Sequence, residues 1–195
     1  MTGMLLALLL QMPTTTPAAS EPEQFAAVRE IVLAHEAFPA ARAETLATAV
    51  LQASSEYGLS PYLVLAVIRT ESSFRPRAVS SVGAAGLMQI RPFVGEWLAE
   101  KLQVAWSGDT PLFDPVLNVR LGTFYLADLL DRFGDINIAL SAYNWGPTRV
   151  ANVLADADGL PEKMKVYQRR VWEDYAAVRR LRQRAVAALQ DGPNT

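Results

Sequence analysis

At 195 residues, with 51% apolar and 19% charged side chains, the chain can bury one hydrophobic core and is too apolar to be disordered. A formal net charge of −2 excludes the overall electrostatic footprint of a nucleic-acid binder. With no cysteine and one histidine, His35, the chain can have no disulfide, catalytic thiol, thiolate metal site or multi-histidine metal site, and a Ser-His-Asp triad would need His35 as its base.

The chain opens on seven apolar residues, Met4 to Leu10, followed by Pro13 and a Thr/Pro/Ala stretch. Residues 1–20 read as a short export signal that lacks a basic n-region, or as a disordered leader; the run is too short to span a bilayer. Residues 21–195 read as a single domain. Helical periodicity dominates and strand alternation is nearly absent, so the predicted class is all-α. Glu23 to Ala37 and Ala40 to Tyr57 are predicted Ala/Leu/Val-rich helices split by Phe38-Pro39, the second closed by Gly58. His35 falls at the end of the first, where helix-end packing accounts for it.

Ser60-Pro61 has the pattern of an N-cap followed by a first-turn proline. It opens a helix to about Phe74 whose run Leu63-Val64-Leu65-Ala66-Val67-Ile68 is apolar on most of its circumference, which predicts the central core helix. Glu71 lies four, three and seven residues after Val67, Ile68 and Val64, so its carboxyl falls on a face those residues bury and is partly desolvated. Arg75 to Gly86 reads as a loop before a short element near Leu87, and Pro92 and Pro111 bracket a helix of about Phe93 to Gln103. Pro115 to Phe133 is a predicted helix capped by Asp114 and ended by Gly134-Asp135, and Ile136 to Ala142 a shorter one interrupted at Asn144-Trp145-Gly146-Pro147. From Pro161 the pattern is one long helix. From Leu160 onward eight Lys/Arg face four acids, which reads as a solvated helix face rather than a surface for an anionic polymer.

Three segments lie where helices meet loops: Glu71-Ser72-Ser73-Phe74, Gly83 to Ile90 and Ala142 to Pro147. Alone, each has an ordinary structural reading. The glycine pair Gly83/Gly86 has neither dinucleotide-fingerprint nor phosphate-loop spacing. In this order, and together with Asp114-Pro115, Asn118, Gly122, Tyr125-Leu126 and Tyr167, they resemble the soluble lytic transglycosylase family of the lysozyme-like superfamily over about Leu59 to Val171.

The resemblance implies a lysozyme-like helical domain with a groove for alternating N-acetylmuramic acid and N-acetylglucosamine, and Glu71 as the catalytic acid. A buried carboxyl with a raised pKa could protonate the glycosidic oxygen and then take the proton of the muramic acid 6-hydroxyl, closing a 1,6-anhydro ring without water. Most glycosidases use two carboxylates, and an intramolecular hydroxyl removes the need for the second. By the same resemblance Ser72, Met88, Gln89, Tyr143, Asn144 and Tyr167 contact substrate or orient Glu71, with Met88 as a groove wall and Ser72 a hydroxyl near the sugar. Trp145 reads equally as a sugar platform or a packed loop residue. No metal or organic cofactor is implied. The expected partner is peptidoglycan outside the cytoplasm.

The rivals are a goose-lysozyme-like hydrolase and a non-catalytic wall-binding component of a secretion machine or phage particle. The family often has Glu-Thr where this chain has Lys163-Met164, and Asn where it has Arg77, so a peptide-stem contact at the first position is not carried over.

Overall fold

The computed structural model describes residues 20–108, 110–157 and 159–190, so the leader read at residues 1–20 lies, but for Ser20, outside it. Helix α1, Glu21–Leu33, begins at a capping box in which the Ser20 hydroxyl accepts from the Glu23 N–H and the Glu23 carboxylate accepts from the Ser20 N–H. A single 3-10 turn, Ala40–Arg42, leads into α2, Ala43–Glu56. Gly58 follows with φ +68°, the left-handed geometry that lets the chain reverse into the next helix.

Helix α3, Pro61–Ser72, starts with its proline in the first turn and is buried from Tyr62 through Ile68. Each fully buried Leu, Ile or Val on it contributes roughly 1.5–3 kcal/mol relative to exposure. α3 ends in two consecutive left-handed residues, Ser73 (φ 50°) and Phe74 (φ 61°). Such backbone costs about 1–2 kcal/mol per non-glycine residue, and complete burial of the Phe74 ring offsets it. His35, beyond the end of α1, stacks on that ring at 4.0 Å and donates from Nδ1 to the Ile31 carbonyl at 2.7 Å. Helix-end packing thus describes His35 correctly.

The loop after α3 is not the short element expected near Leu87. It is drawn together by isolated antiparallel bridges, Val79 with Ala85 and Ala85 with Ile90, and no β-strand occurs among the described residues. Four further helices follow: α4, Pro92–Lys101; α5, Pro115–Phe133; α6, Ile136–Trp145; and α7, Pro147–Asp156. Asp114 caps α5 by accepting from the Leu117 N–H at 2.8 Å, and Gly134 ends it at φ 67°. Helix α7, which the sequence reading left unassigned, begins at Pro147 and buries Val150. Helix α8, Glu162–Gln190, packs along α1, α3 and α6, while α5 packs on α2, α4 and α6. α3 is therefore held in the middle of the molecule with its C-terminal turn, the turn of Glu71, against α8.

Candidate active site

Glu71 is largely buried, and desolvation pushes its carboxyl up to about 7, against opposing pulls from a hydrogen bond and from the Arg170 charge. The hydrogen bond comes from Tyr167 on α8, whose hydroxyl donates to Oε1 at 2.5 Å. The same turn is locked to α8 at the two preceding residues. Asp174 accepts from Arg69 Nε at 2.9 Å and from the Thr70 hydroxyl at 2.7 Å, and Arg170 donates to the Thr70 carbonyl. Residues 69, 70 and 71 are thus each tied to one face of α8, which fixes the rotation of α3 about its axis where the acid projects.

Tyr143, at the C-terminal part of α6, donates to the Met88 carbonyl at 2.9 Å rather than to Glu71. Burial, and then the charge of Glu71, pushes the Tyr143 phenol well above its ordinary range, and burial and Glu71 do the same to Tyr167. Both phenols are therefore neutral donors at any pH near 7. Gln89, at φ 50°, turns its amide nitrogen to the Ala78 and Gly86 carbonyls at 3.1 and 3.0 Å. Asn144 is exposed, and together with Gln89 and Tyr143 it lines a cavity of about 170 Å³.

Two expected contact residues lie elsewhere. The Ser72 side chain is buried and its hydroxyl donates to the Ile68 carbonyl at 3.1 Å, one turn back on its own helix. The Met88 side chain is fully buried against α5, close enough to Gly122 that a β-carbon there would lie 2.5 Å from its sulfur. Neither side chain forms a groove wall. In Met88 it is the backbone that matters, because its carbonyl holds Tyr143 and its N–H donates to Asn118 Oδ1 at 2.7 Å.

Asn118, in the first turn of α5, is the residue whose importance periodicity could not reveal. Fully buried, it also donates from Nδ2 to the Ala85 and Leu112 carbonyls, each at 3.0 Å. The bonds to Met88 and Ala85 clamp the 78–90 loop to α5, and the bond to Leu112 ties in the 3-10 turn Thr110–Phe113 that precedes it. Gly86, at φ +82°, lets the loop approach this amide: a β-carbon there would lie 2.2 Å from the Leu112 oxygen and 2.3 Å from Asn118 Nδ2.

Among the described residues no group of three or more His, Cys, Asp or Glu is arranged to hold a metal ion. The charge acting on Glu71 is that of Arg170, not of a second carboxylate. Glu96 is exposed on α4 and Asp114 is occupied as a helix cap. A third acid, Asp128, lines a larger cavity of about 510 Å³ that adjoins the first, with Trp97, Trp145, Arg132 and Arg149.

The family model for the transglycosylase SLT domain matches residues 48–165. The chain belongs to this family. Its relatives include a transglycosylase of Enterobacteria phage PRD1, 43% identical over 57% of this chain and 38% of the phage protein. A soluble lytic murein transglycosylase of Escherichia coli is 38% identical over 49% of this chain and 15% of its own length. Among solved structures, the 70-kDa soluble lytic transglycosylase of Escherichia coli superposes with a TM-score of 0.62 at 28% identity, over 68% of this chain and 24% of that one. The lysozyme-like helical class is therefore the fold of this SLT domain. The chain spans well under half the length of the curated relatives it matches. Tyr167, Arg170 and Asp174, which surround the acid from α8, lie just beyond the matched 48–165 segment.

Proposed function

We propose that the chain is a peptidoglycan lytic transglycosylase acting outside the cytoplasm, with Glu71 as acid and then base. The observation that carries this reading is a carboxyl held near a pKa of 7 by burial, hydrogen-bonded by a neutral phenol, with Arg170 supplying the charge that acts on it. At pH 7 about half of such carboxyls are protonated, whereas a water-exposed glutamate would be almost entirely ionised. The group can therefore donate at neutral pH.

In the proposed reaction Glu71 gives its proton to the oxygen linking C1 of N-acetylmuramic acid to C4 of N-acetylglucosamine, and the C1–O bond breaks. The muramic acid 6-hydroxyl oxygen then bonds to C1, and its proton passes to the Glu71 carboxylate. The atoms balance without water, and the acid returns to its starting state. Tyr167 supports the carboxylate form reached midway, since its hydrogen bond favours the charged state. Asn144 and the side-chain carbonyl of Gln89 offer amide groups to sugar hydroxyls and acetamido groups, and Tyr143 keeps the Met88 backbone in register beneath them.

The relatives named as murein transglycosylases support the substrate class, and the phage relative supports a setting in which local wall opening accompanies a larger assembly. Mass spectrometry of soluble products from sacculi, with the wild type and Glu71→Gln, tests the reading. Muropeptides one water lighter than hydrolysis products, absent with Glu71→Gln, are expected. Reducing-end products would make the chain a hydrolase, and binding without release would make it a wall-binding component.

A further inference from the structure

We infer that Asp174 on α8 is a positioning residue for the acid, acting through the last turn of α3: it sets the direction in which Glu71 projects and cancels the charge of Arg69 beside it. The inference rests on the reading of Glu71 as the acid. Tyr167, Arg170 and Asp174 are spaced i, i+3 and i+7, so they share one face of α8. Each oxygen of the Asp174 carboxylate holds one residue of the turn, Oδ1 the Arg69 Nε at 2.9 Å and Oδ2 the Thr70 hydroxyl at 2.7 Å. Consecutive helical residues leave the axis about 100° apart, so a grip on both 69 and 70 fixes the direction in which the next residue, Glu71, points. Such a direction matters to rate, since a displacement of about 1 Å at a reacting group can cost on the order of 100-fold.

The second effect is electrostatic. The Arg69 and Asp174 side chains are 34% and 25% exposed, so water screens the pair only in part. Without Asp174, a guanidinium two residues before the acid would join Arg170 in favouring the carboxylate, and Glu71 would hold the proton it has to donate less tightly. With Asp174 in place the pair is nearly neutral, and Arg170 is left as the charge that acts on Glu71. The remaining groups around the turn do not upset this balance. Arg75, on the loop after α3, is exposed and donates to the Ser72 carbonyl at 2.9 Å. Tyr167 and Tyr143 are phenols that burial keeps neutral. His35, beyond the end of α1, feels both Arg69 and Asp174, and burial lowers its pKa, so it too is uncharged near pH 7.

The test titrates the Glu71 carboxyl directly, by carbon-13 NMR of the full chain labelled at glutamate Cδ, with the resonance assigned by its loss in Glu71→Gln. Asp174→Asn removes the charge with little change of shape and should lower the Glu71 pKa by about half a unit. Arg69→Gln removes the opposite charge and should raise it by about as much, and the two combined should cancel. A carboxylate that merely fastens α8 to α3 predicts a shift of the same direction in both single variants, since both lose the same ion pair. That result, or an unmoved titration, overturns the inference. Arg69→Gln, at a partly exposed position, carries the same decision by itself should Asp174→Asn fail to fold. In turnover, Asp174→Asn is expected to lower kcat about tenfold with KM within about twofold, and an unchanged kcat overturns the role in aiming the acid. The titration needs no substrate, so it decides the effect of Asp174 on Glu71 even where product masses overturn the transglycosylase reading.

Discussion

Replacing Tyr167 by Phe keeps a buried ring and removes only the hydroxyl that donates to Glu71 at 2.5 Å. Burial raises the Glu71 carboxyl, while this hydrogen bond is the larger of the two effects that hold it down at about 7. Hydrogen bonds to charged groups contribute about 1.5–3 kcal/mol, and one pKa unit corresponds to 1.36 kcal/mol, so complete loss would raise the pKa by roughly one to two units. Glu71 is partly rather than fully buried, so water replaces part of the bond, which leaves a shift of about one unit. The sign follows from which form the phenol stabilises. Tyr167 favours the carboxylate, so without it the acid stays protonated to higher pH. The alkaline limb of log kcat/KM, which reports a protonated Glu71 in the free enzyme, should move from about 7 to about 8. The assay is the release of anhydro products from soluble, uncrosslinked glycan strands across the neutral range. A limb that stays in place or moves to lower pH would refute the assignment of Tyr167 as the partner that tunes the acid.

Three further outcomes follow from the same geometry. Glu71 binds a proton more tightly folded (about 7) than unfolded (4.5), so the stability it contributes below about 4.5 is lost as pH rises toward 7; in urea titrations Glu71→Gln should exceed the parent by up to about 3 kcal/mol at pH 8 and by little at pH 4. Asn118→Asp keeps the acceptor for the Met88 N–H but turns a carboxylate oxygen toward two carbonyls at 3.0 Å, and should lower the unfolding free energy by about 2–4 kcal/mol at neutral pH with partial recovery in acid; equal loss at both pH values would count against it. Gly86→Ala drives a β-carbon into the Leu112 oxygen and Asn118 at a φ of +82°, and a melting temperature within a degree or two of the parent would contradict the close approach described.

The helical class and the burial of Glu71 were legible because both depend on local spacing: the apolar run from Leu63 to Ile68 sets the face on which position 71 must fall. The matching boundaries of α5 have the same origin, with an aspartate cap at one end and a glycine at the other. The directions of the Ser72 and Met88 side chains were not legible because a motif gives residue identities without directions. A serine hydroxyl can satisfy itself on its own helix, and a methionine can fill the gap that Gly122 leaves. The α8 partners of the acid were half visible. Tyr167 was singled out only through the family resemblance, while Asp174 and Arg170 looked like ordinary members of a charged helix face, because their role depends on which helix α8 packs against. Helix α7 was missed although Pro147 and the spacing of Val150, Val153 and Leu154 announce it, because Asn144 to Pro147 was read as a break rather than as the junction of two helices.

Glu71 and the phenol that bonds it are 96 residues apart in sequence, and the acid acquires its environment only when α8 docks on α3. A chain still being synthesised or threaded across a membrane therefore carries, at position 71, an ordinary water-exposed glutamate. At pH 7 a group with the unperturbed value of 4.5 is protonated roughly one time in three hundred, against about one in two after docking. Docking of α8 thus sets the proton affinity of Glu71. The proposed proton donation by Glu71 at neutral pH would require the packing of α8 on α3.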